Sequence, residues 1–127
     1  MTQEEKQLLL QDLCARLPYG VITKNCKKNS DVPAHLLPHV NGIKLLIAEY
    51  DLKPYLRPMS SMTEEEKKEF KAFHCVSEWH PEFYQAMCNL PNINNMINWL
   101  DKKMFDHRGL IPKGLALEAK EGMYNLN

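Results

Sequence analysis

The chain has 127 residues, its 16 lysines and arginines are balanced by 16 aspartates and glutamates, and 44% of its residues are hydrophobic. These values are typical of one soluble domain with a hydrophobic core, and they exclude collagen-like, coiled-coil and disordered compositions. Zero net charge argues against nucleic acid as a partner, because nucleic-acid-binding domains usually carry a basic excess on one face. We therefore treat residues 1–127 as a single domain.

The cellular compartment is inferred from the start of the chain and from the cysteines. The first residues are acidic and contain no long apolar run, so a signal peptide is not predicted. The longest uncharged apolar run elsewhere, residues 45–48, is far shorter than the roughly 20 residues that cross a bilayer. Four cysteines without a secretion signal are expected to be reduced thiols. The sequence predicts a cytoplasmic protein with no membrane partner.

The first predicted element is a helix that begins at a capping box. The hydroxyl of Thr2 can accept a hydrogen bond from the amide of Glu5, while the Glu5 carboxylate can accept one from the amide of Thr2. Leucines with helical spacing continue the helix until Pro18. The β-branched residues 21–23 then predict a short strand.

The next segment shows no regular periodicity. We expect residues 24–42 to form a long loop, with one helical turn at residues 34–37. Residues 43–49 are short and apolar, and the Asn41-Gly42 turn signal before them predicts a strand. This strand is expected to form a hairpin with residues 21–23.

The second half of the chain begins with an extended connector at residues 54–58, because prolines stand at both of its ends. Thr63 then begins a second helix with another capping box, whose carboxylate is that of Glu66. Phe70 and Phe73 are its expected buried face.

The strongest helical periodicity lies in residues 92–105, where apolar residues recur three and four positions apart. Gly109 follows the end of this helix as a stop signal. A shorter helix is predicted at residues 81–88, because proline is favoured at a first helical position. Apolar residues between positions 110 and 117 indicate that the C-terminal segment packs against the rest of the domain.

Together these elements predict an α+β fold with a small antiparallel sheet covered by about three helices. The predicted strands are residues 21–23 and 43–49, with room for one more short strand. The predicted helices begin near Thr2, Thr63 and Asn92.

Four residues of metal-binding type lie close together in the sequence: His74, Cys75, His80 and Cys88. Structural zinc sites usually supply their ligands in close pairs such as C-x2-C, and this set lacks that spacing. We favour the interpretation that the cysteines are small buried hydrophobes, and we expect no metal or other cofactor. A small enzyme or metal-binding domain that uses these four residues is the alternative hypothesis.

A polar group follows the predicted third helix: Asp106, His107 and Arg108 precede Gly109. These residues can form a polar site. They are also suited to a structural role, because cations stabilise the last carbonyls of a helix and Asp106 can accept from a turn amide or pair with Arg108. The structural interpretation is favoured, and no catalytic residue is assigned.

Four aromatic residues fall outside the three main predicted helices: Tyr50, Tyr55, Trp79 and Tyr84. Three helices can bury only part of this aromatic surface. We therefore predict that one or more of the four contributes to an exposed aromatic patch, which is typical of a surface that binds another protein.

Three stretches carry a resemblance to a known group of proteins: residues 8–19 (LLLQDLCARLPY), 53–68 (KPYLRPMSSMTEEEKK) and 99–124 (WLDKKMFDHRGLIPKGLALEAKEGMY). They cover a little under half of the chain, and they resemble small uncharacterised proteins of gut Bacteroides-type bacteria and their prophages. That group tends to carry tyrosine at the position of His107 and has no established activity. The resemblance therefore implies a phage or mobile-element accessory protein, which we expect to be non-enzymatic and to bind a protein partner.

Overall fold

The computed structural model describes residues 1–33, 40–72 and 90–124. The helical turn predicted at 34–37, the helix predicted at 81–88 and Phe73 lie outside these ranges. The four described helices are α1 (Gln3–Arg16), α2 (Val40–Tyr50), α3 (Glu64–Ala72) and α4 (Leu90–Lys102). The four described strands are β1 (Ile22–Asn25), β2 (Ser30–Pro33), β3 (Leu52–Leu56) and β4 (Leu117–Glu118).

The strands form one sheet in the order β2-β1-β3-β4. β1 is antiparallel to both β2 and β3, whereas β3 and β4 run parallel. The predicted α+β class is confirmed. The sheet is mixed rather than wholly antiparallel, because the C-terminal segment joins it in the same direction as β3.

The two predicted capping boxes are both present. At the start of α1, the amide of Glu5 donates to the Thr2 hydroxyl over 3.1 Å, and the Thr2 amide donates to the Glu5 carboxylate over 2.9 Å. The same reciprocal pair joins Thr63 and Glu66 at the start of α3, over 3.1 and 3.0 Å. Gly20 ends the turn after α1 in the left-handed conformation, with a φ of 81°.

The strand predicted at residues 43–49 is wrong, because this segment belongs to helix α2. Ile43 and Ile47 are buried one helical turn apart, while Lys44 and Leu45 between them are exposed. A short apolar run does not distinguish a buried strand from a buried helix, and here the spacing of the two isoleucines decides. The hairpin predicted with residues 21–23 is wrong for the same reason.

Two segments predicted as irregular are strands. Within the segment predicted as a loop, residues 24–42, β2 pairs with β1 across a turn at residues 26–29. The Thr23 hydroxyl donates to the carbonyl of Val32 over 2.9 Å, which reinforces this hairpin. The predicted connector is extended, as expected, and most of it is the central strand β3. Strands of four or five residues are too short for their alternation to stand out in the sequence.

The helix predicted at residues 92–105 is confirmed as α4, although it begins at Leu90 and ends at Lys102 rather than at Phe105. Met104 adopts a left-handed conformation with a φ of 63°, which turns the chain before Phe105. The C-terminal segment packs against the body, as predicted: Leu110 and Leu115 are buried, and the amide of Ala119 donates to the carbonyl of Leu56 over 2.7 Å.

The buried apolar residues form two clusters. The larger joins α1, α2, β3 and the C-terminal segment, and it contains Leu9, Leu13, Ile43, Ile47, Leu52, Leu56, Leu110, Leu115 and Ala116. The smaller consists of Met62, Leu100 and Phe105, with Phe70, Met96 and Trp99 packed against it. In the described part of the chain, no helix combines the length and the apolar composition needed to span a membrane.

Candidate functional site

A network of buried charges begins on the inward side of α1. Asp12 and Arg16 lie one helical turn apart and are both fully buried, and Arg16 Nε donates to Asp12 Oδ2 over 2.9 Å. Arg16 Nη2 also donates to the carbonyl oxygen of Phe105 over 2.6 Å. One guanidinium therefore ties the first helix to the segment that follows α4.

A second guanidinium completes the network from the C-terminal side. Arg108 Nη1 lies 2.7 Å from Asp12 Oδ1 and 2.9 Å from Asp101 Oδ1, and it donates to both. Asp101 also lies 3.7 Å from Arg16 Nη2. Two carboxylates and two guanidiniums thus neutralise one another, which is the condition under which charges can be buried.

His107 is the fifth member of this network, with its Nε2 only 2.8 Å from Asp101 Oδ1. Burial of Asp101 opposes its negative charge, but the hydrogen bonds from His107 and Arg108 outweigh that effect and hold the pKa of Asp101 below its ordinary value. Burial likewise opposes the charge of Arg108, yet its bonds to Asp101 and Asp12 raise its pKa above the ordinary value. Asp101 and Arg108 are therefore held as a charged pair.

Asp106 has a different role from its two neighbours. Its two carboxylate oxygens accept hydrogen bonds from the amides of Leu110 and Ile111, over 2.7 and 2.9 Å. The structure thus brings His107 and Arg108 together at Asp101, whereas Asp106 closes the turn after them. Of the two partners considered for Asp106, the turn amides are the ones observed.

Asp12, Arg16 and Asp101 were not identified as site residues from the sequence. The sequence does contain a signal for Asp12 and Arg16. Both lie on the helix face of Leu9 and Leu13, where charged residues are unexpected. Arg16 Nη1 is buried and has no hydrogen-bond partner among the described residues.

Another arginine contacts the ring of Phe105. Arg57 makes a two-pronged salt bridge with Glu66, over 2.8 and 2.7 Å, and its guanidinium lies 4.2 Å above the ring of Phe105. The hydrogen bond from Arg57 is the main reason that the pKa of Glu66 falls to about 2. This pair connects β3 to the capping box of α3.

The predicted aromatic patch includes one residue that is not exposed. Tyr55 is buried, its hydroxyl donates to Asp31 Oδ1 over 2.8 Å, and the amine of Lys120 lies 5.4 Å from its ring. Tyr50 is half-buried beneath Lys28, whose amine lies 5.1 Å from its ring. Trp79 and Tyr84 lie outside the described residues. Tyr55 must therefore be removed from the predicted patch, because the sheet, not a connector, holds it.

Tyr124, which lies near the C-terminal end of the described chain, joins strands β1 and β3. Its hydroxyl accepts from the amide of Ile22 over 2.9 Å and donates to the carbonyl of Tyr55 over 2.7 Å. Burial is the main reason that the pKa of Tyr124 rises to about 12. The neutral hydroxyl is therefore kept as both donor and acceptor between β1 and β3.

The surface of the described part of the chain has clefts, and two of them are well defined. One is the α1–α2 groove, a cavity of about 200 Å³ lined by Gln3, Lys6, Gln7, Leu10, Lys44 and Ile47. The other has a volume of about 300 Å³ and lies between the end of β3 and the C-terminal segment, where Arg57, Lys120 and Tyr124 line it. In this second cleft, the guanidinium of Arg57 is already paired with Glu66.

The described residues contain no group of three or more His, Cys, Asp or Glu side chains that could hold a metal ion. The predicted set His74, Cys75, His80 and Cys88 lies outside the described ranges. The two described cysteines, Cys14 and Cys26, are free thiols and are not grouped with histidines.

No family model, curated protein or solved structure matches the chain. What the protein does must therefore be inferred from its own residues and their geometry.

Proposed function

We propose that this protein is a non-enzymatic accessory protein of a phage or mobile element, and that it acts in the cytoplasm by binding another protein. The resemblance of residues 8–19, 53–68 and 99–124 to small prophage-associated proteins supports the lineage. The free thiols of Cys14 and Cys26 are compatible with a reducing compartment. One structural observation carries the binding role: α2, which forms one wall of the α1–α2 groove, also presents apolar side chains to solvent.

The exposed apolar surface follows from the geometry of α2. Ile43 and Ile47 occupy the core-facing side of the helix, while Leu45 is 56% exposed and Ala48 is also exposed. Leu45 and Ala48 are three positions apart and therefore adjacent on the helix surface. Lys44, which lines the groove, is one turn before Ala48. On the surface of α2, Ala48 thus lies between Leu45 and the groove-lining Lys44. Exposed apolar side chains beside polar ones are typical of a protein-binding surface.

The buried network supports a structural role for the most polar residues. A general acid or base must exchange a proton with a bound substrate within hydrogen-bonding distance. Asp12 and Asp101 instead bond to the guanidiniums of Arg16 and Arg108, and Asp12 is fully buried. These groups hold the first helix against the C-terminal segment, so the polar cluster that the sequence draws attention to is explained without catalysis.

Photo-crosslinking in cells tests this proposal. A photoreactive phenylalanine analogue is placed at Leu45, on the exposed surface of the helix that forms one wall of the groove, and the same analogue at the exposed Lys68 of α3 serves as the control. We expect ultraviolet light to produce a discrete protein adduct from position 45 that is absent from position 68. Adducts from both positions alike, adducts to nucleic acid, or no adduct from either position would contradict the proposal.

A further inference from the structure

We infer that the α1–α2 groove binds an acidic amphipathic helix, whose apolar side enters the groove and whose carboxylates contact its two lysines. This inference rests on the proposed function and names the chemistry of the partner. It is argued from the size of the groove, the composition of its floor and the charge of its walls.

The size of the groove favours side chains rather than a small molecule. Its volume is about 200 Å³, which is below the roughly 300–1,000 Å³ of typical small-molecule and cofactor sites. Leu10 of α1 is half-buried and Ile47 of α2 is buried, whereas the other four lining residues are exposed, so the apolar pair forms the floor. A cavity of this size and lining suits one or two apolar side chains that project from a larger partner.

The walls of the groove are polar and cationic. Lys6 of α1 and Lys44 of α2 line it together with Gln3 and Gln7, and no acidic side chain is among the described residues that do so. Neither lysine makes an ion pair within the described chain, whereas Lys53 and Lys67 pair with Asp51 and Glu64 over 3.9 and 3.1 Å. Two unpaired cations beside an apolar floor are complementary to carboxylates beside an apolar anchor.

The position of the groove between two helices favours a helical partner. A groove between two helices commonly binds a third helix through apolar anchors at positions i, i+3, i+4 and i+7. On α2, the exposed Ala48 is one helical turn from the groove-lining Lys44 and adds apolar surface at the edge of the groove. An acidic helix that places leucines in the groove and glutamates towards Lys6 and Lys44 satisfies all of these features.

A charge-swap binding experiment tests this inference. The probes are two fluorescein-labelled helical peptides with leucines at positions i, i+3, i+4 and i+7, one with glutamates at the flanking positions and the other with lysines there. Their affinities for the full chain are measured by fluorescence anisotropy. Three forms are compared: the wild type, the groove variant Lys6→Glu/Lys44→Glu, and the control variant Lys68→Glu/Lys71→Glu, which changes charge equally on α3.

We expect the wild type to bind the acidic peptide about tenfold or more tightly than the basic peptide, because two favourable charge contacts become two repulsive ones. The groove variant should reverse this preference, and the control variant should keep it. Equal binding of both peptides, no binding of the acidic peptide, or an equal loss in the control variant would overturn the inference. Unchanged circular dichroism spectra verify that all three forms are folded.

The failure of this inference can be separated from failure of the proposed function. The crosslinking experiment at position 45 is repeated in the Lys6→Glu/Lys44→Glu background. If the adduct persists there at wild-type yield, a protein partner exists but the lysines of the groove do not recognise it. If neither background gives an adduct, the proposed function itself is wrong. Loss of the adduct in the groove variant alone supports both.

Discussion

Helix α1 carries charged residues on two sides, and the two sides differ in what the charges contact. On the inward side, Asp12 and Arg16 are fully buried and are bonded to each other, to Arg108 and to the backbone of Phe105. On the outward side, Lys6 lines an open groove and makes no ion pair within the described chain. Charges that are neutralised internally stabilise the fold, whereas charges left unpaired at an apolar groove are available to a partner.

The largest effect on stability is expected from Arg16→Met, which disrupts the buried charge network on the inward side of α1. Methionine keeps much of the apolar length of the side chain but removes the bonds to Asp12 and to the carbonyl of Phe105. Removing one member of a buried ion pair costs about 3–5 kcal/mol, and here it leaves the two buried carboxylates Asp12 and Asp101 sharing the single guanidinium of Arg108. The free energy of unfolding, measured with urea, should fall by about that amount.

The matched control for this prediction is Lys68→Met on the exposed surface of α3. It removes one positive charge without touching a buried group, so the change should be within about 0.5 kcal/mol. Equal stability of the Arg16→Met and Lys68→Met variants would show that the network does not hold α1 in place.

Acid titration tests the Arg57–Glu66 pair, which is more exposed than the buried network of α1 but less exposed than the surface lysines. Arg57 and Glu66 have side chains that are 15% and 10% exposed. The pKa of Glu66 is about 2 in the folded protein against an ordinary value of 4.5, so its stabilising contribution is present above about pH 5 and is lost as the pH falls towards 2. The shift corresponds to about 3 kcal/mol.

Glu66→Gln should remove this component of the pH dependence. Unfolding free energies of the wild type and the variant, measured between pH 2 and 7, should differ most at neutral pH and converge towards pH 2. The contribution of Asp101 has the same sign and is present in both proteins, so it cancels in the difference. A constant difference across the pH range would contradict the role assigned to the Arg57–Glu66 pair.

A smaller loss is expected for Tyr124→Phe. This change keeps the ring but leaves the amide of Ile22 without its 2.9 Å acceptor and the carbonyl of Tyr55 without its 2.7 Å donor. Such a loss typically costs about 1–2 kcal/mol. Hydrogen exchange should show faster exchange of the Ile22 amide in the variant, and an unchanged rate would contradict the bridging role of Tyr124.

The smallest effect on stability is expected on the outward side of α1. Lys6→Glu/Lys44→Glu changes two exposed side chains that have no ion pair within the described chain, so the free energy of unfolding should change by less than about 1 kcal/mol. The same variant is expected to reverse the preference for acidic over basic peptides. A loss of stability comparable to that of Arg16→Met would show that these lysines have a structural role.

The sequence predicts elements with local signals better than elements set by long-range pairing. Thr2 and Thr63 begin capping boxes within four consecutive residues, and both helices form where these predict them. The short apolar segment of α2 was misassigned because its length fits a strand and its burial depends on what packs against it. β2 was missed because its pairing with β1, not its own composition, makes it a strand.

The same limit applies to the polar network. His107 and Arg108 were identified because they adjoin a glycine turn, but Asp12 lies 96 positions from Arg108 and joins it only through the fold. The burial of Tyr55 has a similar cause, because residues of β2 and the C-terminal segment contact it. A single sequence shows which residues are unusual, but their partners depend on tertiary structure.

Nuclear magnetic resonance tests most directly whether the inward side of α1 is structural and its outward side binds a partner. The ¹⁵N-labelled protein is titrated with the acidic peptide, and the backbone amides and the arginine Nε–H groups are followed together. We predict shift changes at Lys6, Gln7 and Lys44 and none at the side chains of Arg16 and Arg108. Changes centred on Arg16, Arg108 and His107, with the groove unaffected, would contradict the account and identify the buried network as the binding site.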